Sequence, residues 1–232
     1  MANLTQRNIE VLKIIIEEYI KTWEVLWSKL LLRKYDLWVS SATIRNDMAL
    51  LEKLELIYQP YHSAWRLPTT KGLRAFVTYM MRETPDFLLE AKNETINTKT
   101  IRELSDYIHS IVYNLAKNTQ EIAFFILPEK HISEYSGVAG FLERNHGRIG
   151  DDIYQLLKML EDKPQFSKFI QSFWVEDSLQ IFIWEENFLP YLKNYSIILK
   201  PVILDESIWY IGIIWGLKMN YSFNISAVRG IM

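Results

Sequence analysis

The 232-residue chain contains no cysteine. That excludes disulfides, thiolate nucleophiles and cysteine-ligated zinc in one step. Glycine is scarce, at eight residues, about half its usual share of roughly 7%. No apolar run approaches the roughly 18 residues of a membrane-spanning helix. The opening residues, MANLTQRNIE, lack the basic-then-apolar layout of a secretory leader. Neither sign of charge dominates, since 26 Lys and Arg face 28 Asp and Glu. With 49% hydrophobic and 23% charged residues, the composition is that of a folded cytoplasmic protein rather than a disordered one. The length suits one large or two modest domains.

Two features stand out against these absences. Tryptophan occurs eight times, as often as glycine, and the two together approach an ordinary glycine share of about 7%. Charge is also uneven: residues 1–82 carry a net +4 and residues 83–232 a net −6. A basic front and an acidic back point to different partners for the two parts.

Hydrophobic periodicity orders the chain. Thr5 can cap a first helix, with Ile9, Leu12, Ile16 and Tyr19 on one face. A short second helix fits residues 28–35. A third starts after Ser40 or Ser41 and carries the stripe Ile44, Met48, Leu51 and Leu54. Residues 56–59 and 66–68 read as two short strands around a loop, and Thr69 or Thr70 opens a helix through Met81. Three helices, a hairpin and a helix are the layout of a winged helix-turn-helix. The polar stretch 83–100 reads as a linker. Beyond it, helices are expected at 101–118, 153–160 and 166–173 and from Ser222. Strands are expected at 121–127, 179–183, 196–204 and 208–214. The expected fold class is therefore α+β, with a DNA-binding domain at 1–82 and a second α+β domain at 101–232.

A recognition helix presents its N-terminal residues to base edges in the major groove. Those positions hold Ser40, Ser41, Thr43, Arg45 and Asn46. Hydroxyls bind phosphates or bases, Arg pairs with guanine and Asn with adenine. An ordinary solvated helix start capped by serine is the alternative. In the hairpin loop, Arg66 is placed to reach a phosphate or a narrow minor groove, with His62 as a weaker candidate. Lys71 sits in the first turn of the next helix, where the backbone dipole also favours phosphate. Enzymatic signals are lacking. His109, His131 and His146 show no metal-ligand spacing, Glu185 and Glu186 read as a strand-end pair, and no phosphate loop or nucleophile elbow occurs. No enzymatic activity and no cofactor are expected.

These residues also carry a family resemblance. Residues 39–48 (VSSATIRNDM), followed by 63–69 (SAWRLPT), resemble HrcA, the bacterial heat-inducible transcription repressors. The resemblance extends back through residues 15–22 and resumes at 183–187 and 211–221, with a looser stretch at 134–160. It implies a dimeric repressor that binds an inverted-repeat operator upstream of chaperone genes. It further implies a GAF-like second domain holding the dimer, and a GroEL-type chaperonin that keeps the repressor in its DNA-binding form. The recognition-helix role falls on Ser40, Ser41, Thr43, Arg45 and Asn46, and the wing role on Arg66. The chain is shorter than is usual for the family, and the missing insertion falls between Pro128 and Tyr135. A ligand-sensing regulator and a winged-helix scaffold for protein contacts are the alternatives.

The resemblance also bears on the tryptophans. The family has glycine where this chain has Trp23, Trp27, Trp38, Trp65, Trp184, Trp209 and Trp215; Trp174 has no clear counterpart. Glycine at such positions often supplies a positive φ or a close backbone approach, which a tryptophan meets only at a steric cost. The expectation is that these seven codons are UGA read as glycine, as some bacterial lineages do.

Overall fold

The computed structural model describes residues 4–22, 40–60, 66–83, 101–144, 150–173, 175, 178–187, 189–204, 207–216 and 219–231. The chain divides into two compact units, Met1–Glu83 and Thr84–Met232. The expected helix at 28–35, the linker at 83–100 and His62 lie outside the described residues, apart from Glu83. So do His146 and Trp23, Trp27, Trp38, Trp65 and Trp174.

In the first unit α1 (Gln6–Thr22) starts at a reciprocal cap. The Thr5 backbone N–H donates to Asn8 Oδ1 at 2.9 Å, and the Asn8 N–H donates to Thr5 Oγ1 at 3.2 Å. Two of the helix's otherwise orphaned N–H donors are thereby satisfied. Its buried face, Val11, Leu12, Ile15 and Ile16, follows the helical repeat. α2 (Ser41–Lys53) buries Ile44, Met48 and Leu51, three of the four residues of the expected stripe, while Leu54 is the half-buried C-cap. It ends without a glycine. Glu55 takes φ 58°, its N–H bonds the Glu52 carbonyl, and the Leu56 N–H reaches back to the Leu51 carbonyl, both at 2.9 Å. This is a Schellman ending with Glu55 in the left-handed position.

Strands β1 (Ile57–Tyr58) and β2 (Leu67–Pro68) pair antiparallel. α3 (Thr70–Glu83) follows and buries Leu73, Phe76, Val77 and Met80. Its approach depends on Gly72: a Cβ there would stand 1.9 Å from the Leu56 carbonyl oxygen, so no side chain fits.

The second unit is a five-stranded antiparallel sheet, in the order β4-β3-β7-β6-β5, with helices on both faces. Its elements are α4 (Ile101–Thr119), β3 (Ile122–Leu127), a 3-10 turn (Pro128–Lys130) and β4 (Ile132–Ser136). Next come α5 (Val138–Arg144), α6 (Asp151–Glu161), α7 (Lys163–Gln171) and β5 (Gln180–Ile183). Two 3-10 turns (Trp184–Glu186 and Pro190–Leu192) lead to β6 (Tyr195–Leu204), β7 (Ser207–Gly216) and α8 (Tyr221–Arg229). Every residue of β3 is buried, because both of its faces are covered. The Phe124 ring meets Phe166 of α7 at 5.2 Å. Its neighbour Phe125, pointing to the other face as strand geometry requires, meets Trp209 at 5.1 Å. Gly212 lies against Phe124, where a Cβ would fall 2.2 Å from the Ile198 carbonyl and 2.7 Å from the ring.

Two elements lie where none was expected. β4 is a short edge strand beginning at the half-exposed Ile132, so it lacks the alternation that marks a strand. α5 is only seven residues long, two turns, too short for a periodic stripe. Together they occupy the stretch 132–144. At its start the chain makes a tight hairpin, with His131 in the left-handed region at φ 52°. No helix among the described residues is long and apolar enough to cross a membrane.

Candidate nucleic-acid interface

The start of α2 is built from its cap outward. Ser40 is the N-cap: its Oγ accepts from the Thr43 N–H at 3.2 Å and lies 3.0 Å from Thr43 Oγ1. Of the two serines the sequence left open, Ser40 caps and Ser41 is the first helical residue. Burying Ile44, Met48 and Leu51 turns Ser41, Ala42, Arg45, Asn46, Ala49 and Leu50 outward. Arg45 and Asn46 make no hydrogen bond or ion pair with a described residue, so their donors and acceptors face solvent.

The back of the helix is held by a residue that the sequence reading missed. Asp47 is 4% exposed. Arg7 grips its carboxylate with two bonds, Nε to Oδ2 at 2.7 Å and Nη2 to Oδ1 at 3.1 Å. Asn8 Nδ2 donates to Oδ1 at 2.8 Å. A buried carboxylate needs such partners, and the forked arginine fixes orientation as well as charge. The signal was present: an aspartate three residues after Ile44 and adjacent to Met48 falls within the buried arc of the helix, where only a paired acid is tolerated.

The two further cations are brought next to carboxylates. Arg66 Nη2 lies 3.3 Å from Glu52 Oε2, while its Nε is buried without a partner among the described residues. Lys71 Nζ lies 3.2 Å from Glu55 Oε2, with both side chains largely exposed. Thr69, rather than Thr70, supplies the oxygen at the start of α3. Its Oγ1 accepts from the Gly72 N–H at 3.0 Å and donates to the Glu55 carbonyl at 2.6 Å. The end of α2 and the start of α3 are therefore pinned together, with Arg66 and Lys71 along the seam. Of the histidines, His109 Nδ1 lies 2.8 Å from Glu134 Oε1, and His131 sits in the β3–β4 turn.

The chain is 36% identical over 137 residues to a protein named "Heat-inducible transcription repressor HrcA" from Acetivibrio thermocellus, which is 58% of this chain and 39% of that relative. It is 40% identical over 129 residues to the protein of the same name from Arthrobacter sp. (strain FB24), which is 55% of this chain and 37% of that one. The chain thus spans well under half the length of these curated relatives. A crystal structure of a hypothetical protein shares the fold, with a TM-score of 0.73 at 20% identity over 98% of this chain and 99% of that one. The family model for the HrcA protein C terminal domain matches residues 68–225. The chain belongs to the HrcA family.

Proposed function

We propose that the chain is a transcriptional repressor of heat-shock chaperone genes that binds an inverted-repeat operator as a homodimer. In this reading the first unit is a winged helix-turn-helix, and α2 enters the major groove. Ser41, Thr43, Arg45 and Asn46 read bases, while Ser40, His62, Arg66 and Lys71 contact the backbone or the minor groove. The second unit is a GAF-like domain that holds the dimer and receives a GroEL-type chaperonin, and the protein works in the cytoplasm. The observation that carries this reading is the outward pair Arg45 and Asn46, unengaged among the described residues, on a helix whose opposite face is packed and clamped through Asp47. Preorganised polar groups at a helix start are what base readout requires.

Footprinting of the full chain on the gene's own upstream region tests the proposal. Protection of a two-fold symmetric site, with affinity falling steeply as salt rises, is expected. Binding with no dependence on sequence, or no binding at low salt, would overturn it.

A further inference from the structure

At one end of the second unit α4 and the sheet do not close on each other. Between them lies a partly open cavity of about 420 Å³. Its walls are mainly apolar: Leu104 and Ile108 from α4, Phe125 and Leu127 from β3, Leu204 from β6 and Trp209 from β7. Size and lining are those of a small-molecule site. Lys130 and Glu134 supply its charges. Glu134 is already engaged by His109 at 2.8 Å. Lys130 is exposed and makes no side-chain hydrogen bond or ion pair with a described residue. The cavity therefore offers an apolar chamber with one uncommitted cation. A glycine at 209 would widen it by the volume of the indole and leave the other walls in place.

We propose that this cavity binds an amphipathic carboxylate, whose hydrocarbon or aromatic body fills the space between α4 and the sheet and whose carboxylate pairs with Lys130. Apolar burial supplies most of the affinity, and the ion pair at the rim selects the sign of the head group. Nothing in this site depends on DNA, so it stands or falls separately from the operator-binding proposal.

The test uses the full chain, with decanoate as probe and decanol and decylammonium as controls, below their aggregation concentrations. Decanoate is expected to raise the melting temperature saturably, as a ligand selective for the native state must, and to bind more tightly than decylammonium. Lys130→Met should weaken decanoate about fivefold, the scale of one exposed ion pair, and leave decanol unchanged. Leu104→Trp, which fills the chamber, should abolish binding of all three. Ser207→Phe, on the other wall, serves in its place if that variant does not fold. No saturable shift, equal binding of the cationic and anionic probes, or undiminished binding in a folded filled variant would overturn the proposal.

Discussion

The buried carboxyl of Glu121, just before β3, meets the carboxamide of Asn224 on α8: Asn224 Nδ2 donates to Glu121 Oε1 at 3.0 Å. The other two atoms of the pair, Glu121 Oε2 and Asn224 Oδ1, are both buried and have no partner among the described residues. A proton on Glu121 Oε2 would turn that atom from an acceptor into a donor, beside a carboxamide whose buried Oδ1 is an acceptor. Burial pushes the Glu121 carboxyl up to about 8, against the smaller opposing effects of the Asn224 hydrogen bond and the charge of Arg144. Glu121 is 5% exposed, and its own N–H reaches Thr119 Oγ1 at 3.3 Å.

A pH-dependent stability follows. The folded state holds the Glu121 proton over a range in which the unfolded chain, with an ordinary value of 4.5, has released it. Stability from this group is therefore full below about 4.5 and is lost as pH rises to about 8. The total is on the order of a few kcal/mol. Glu121→Gln keeps an acceptor for Asn224 Nδ2 and adds a donor, with no titrating proton. Its melting temperature, measured from pH 5 to 9, is expected to gain on that of the parent protein up to about pH 8 and to level off above it. Parallel curves for the two proteins would show that Glu121 is ionised throughout.

Arg45 gives the most direct test of base readout. It is exposed, and its side chain has no partner among the described residues, so truncation should leave the fold intact. Arg45→Ala is expected to cost roughly 1–3 kcal/mol in operator affinity and to relax specificity at one position of each half-site. Competition binding against operator variants measures both. Unchanged affinity would remove Arg45 from the base-reading set.

Asp47 should act differently, through position rather than contact. Asp47→Ala leaves Arg7 and Asn8 without their shared acceptor and frees α2 from α1. A loss of about 1–3 kcal/mol in folding stability is expected, together with weaker operator binding that spares neither half-site. Denaturant unfolding and footprinting distinguish this from Arg45→Ala, which should lower affinity alone.

Glu52 and Glu55 temper the cations beside them. Arg66 and Lys71 would exchange a carboxylate for a phosphate on binding DNA. Removing the competing charge by Glu52→Gln is expected to strengthen operator binding several-fold at low salt, with the gain shrinking as salt rises. Titrations at two ionic strengths read this out, and weaker binding by the variant would place Arg66 away from the phosphates.

Sequence signals located most elements because the physics there is local. The cap at Thr5, the cap at Ser40 and the stripe Ile44, Met48 and Leu51 each involve residues within two turns of one another. The helix bounds of α4, α6 and α7 lie within a few residues of expectation for the same reason. What escaped depends on distant partners. β4 exists because β3 offers it a ladder. The Asp47 clamp joins residues about 40 positions apart, and the Glu121–Asn224 pair spans 103. The seam at Arg66 and Lys71 likewise needs the Schellman ending at Glu55, where no glycine announced a left-handed residue.

The tryptophans divide on backbone grounds. Trp184 takes φ 53°, in the left-handed region that favours glycine, and its indole N–H is buried without a partner among the described residues. Either feature costs of order 1 kcal/mol or more, and glycine removes both. Trp209 and Trp215 lie in β7 without a positive φ and pack against Phe125 and Phe141 at 5.1 and 5.0 Å. The backbone itself therefore asks for glycine at 184 and makes no such demand at 209 or 215. Trp184→Gly in recombinant protein is accordingly expected to raise stability by about 1–3 kcal/mol, whereas Trp209→Gly should open space against Phe125 and lower it. If the seven codons are UGA read as glycine, the intact mass of protein from the native host will fall short of the recombinant mass by seven tryptophan-to-glycine differences. A native mass equal to that of the tryptophan form, or UGG at these codons, would settle that the strained Trp184 is real.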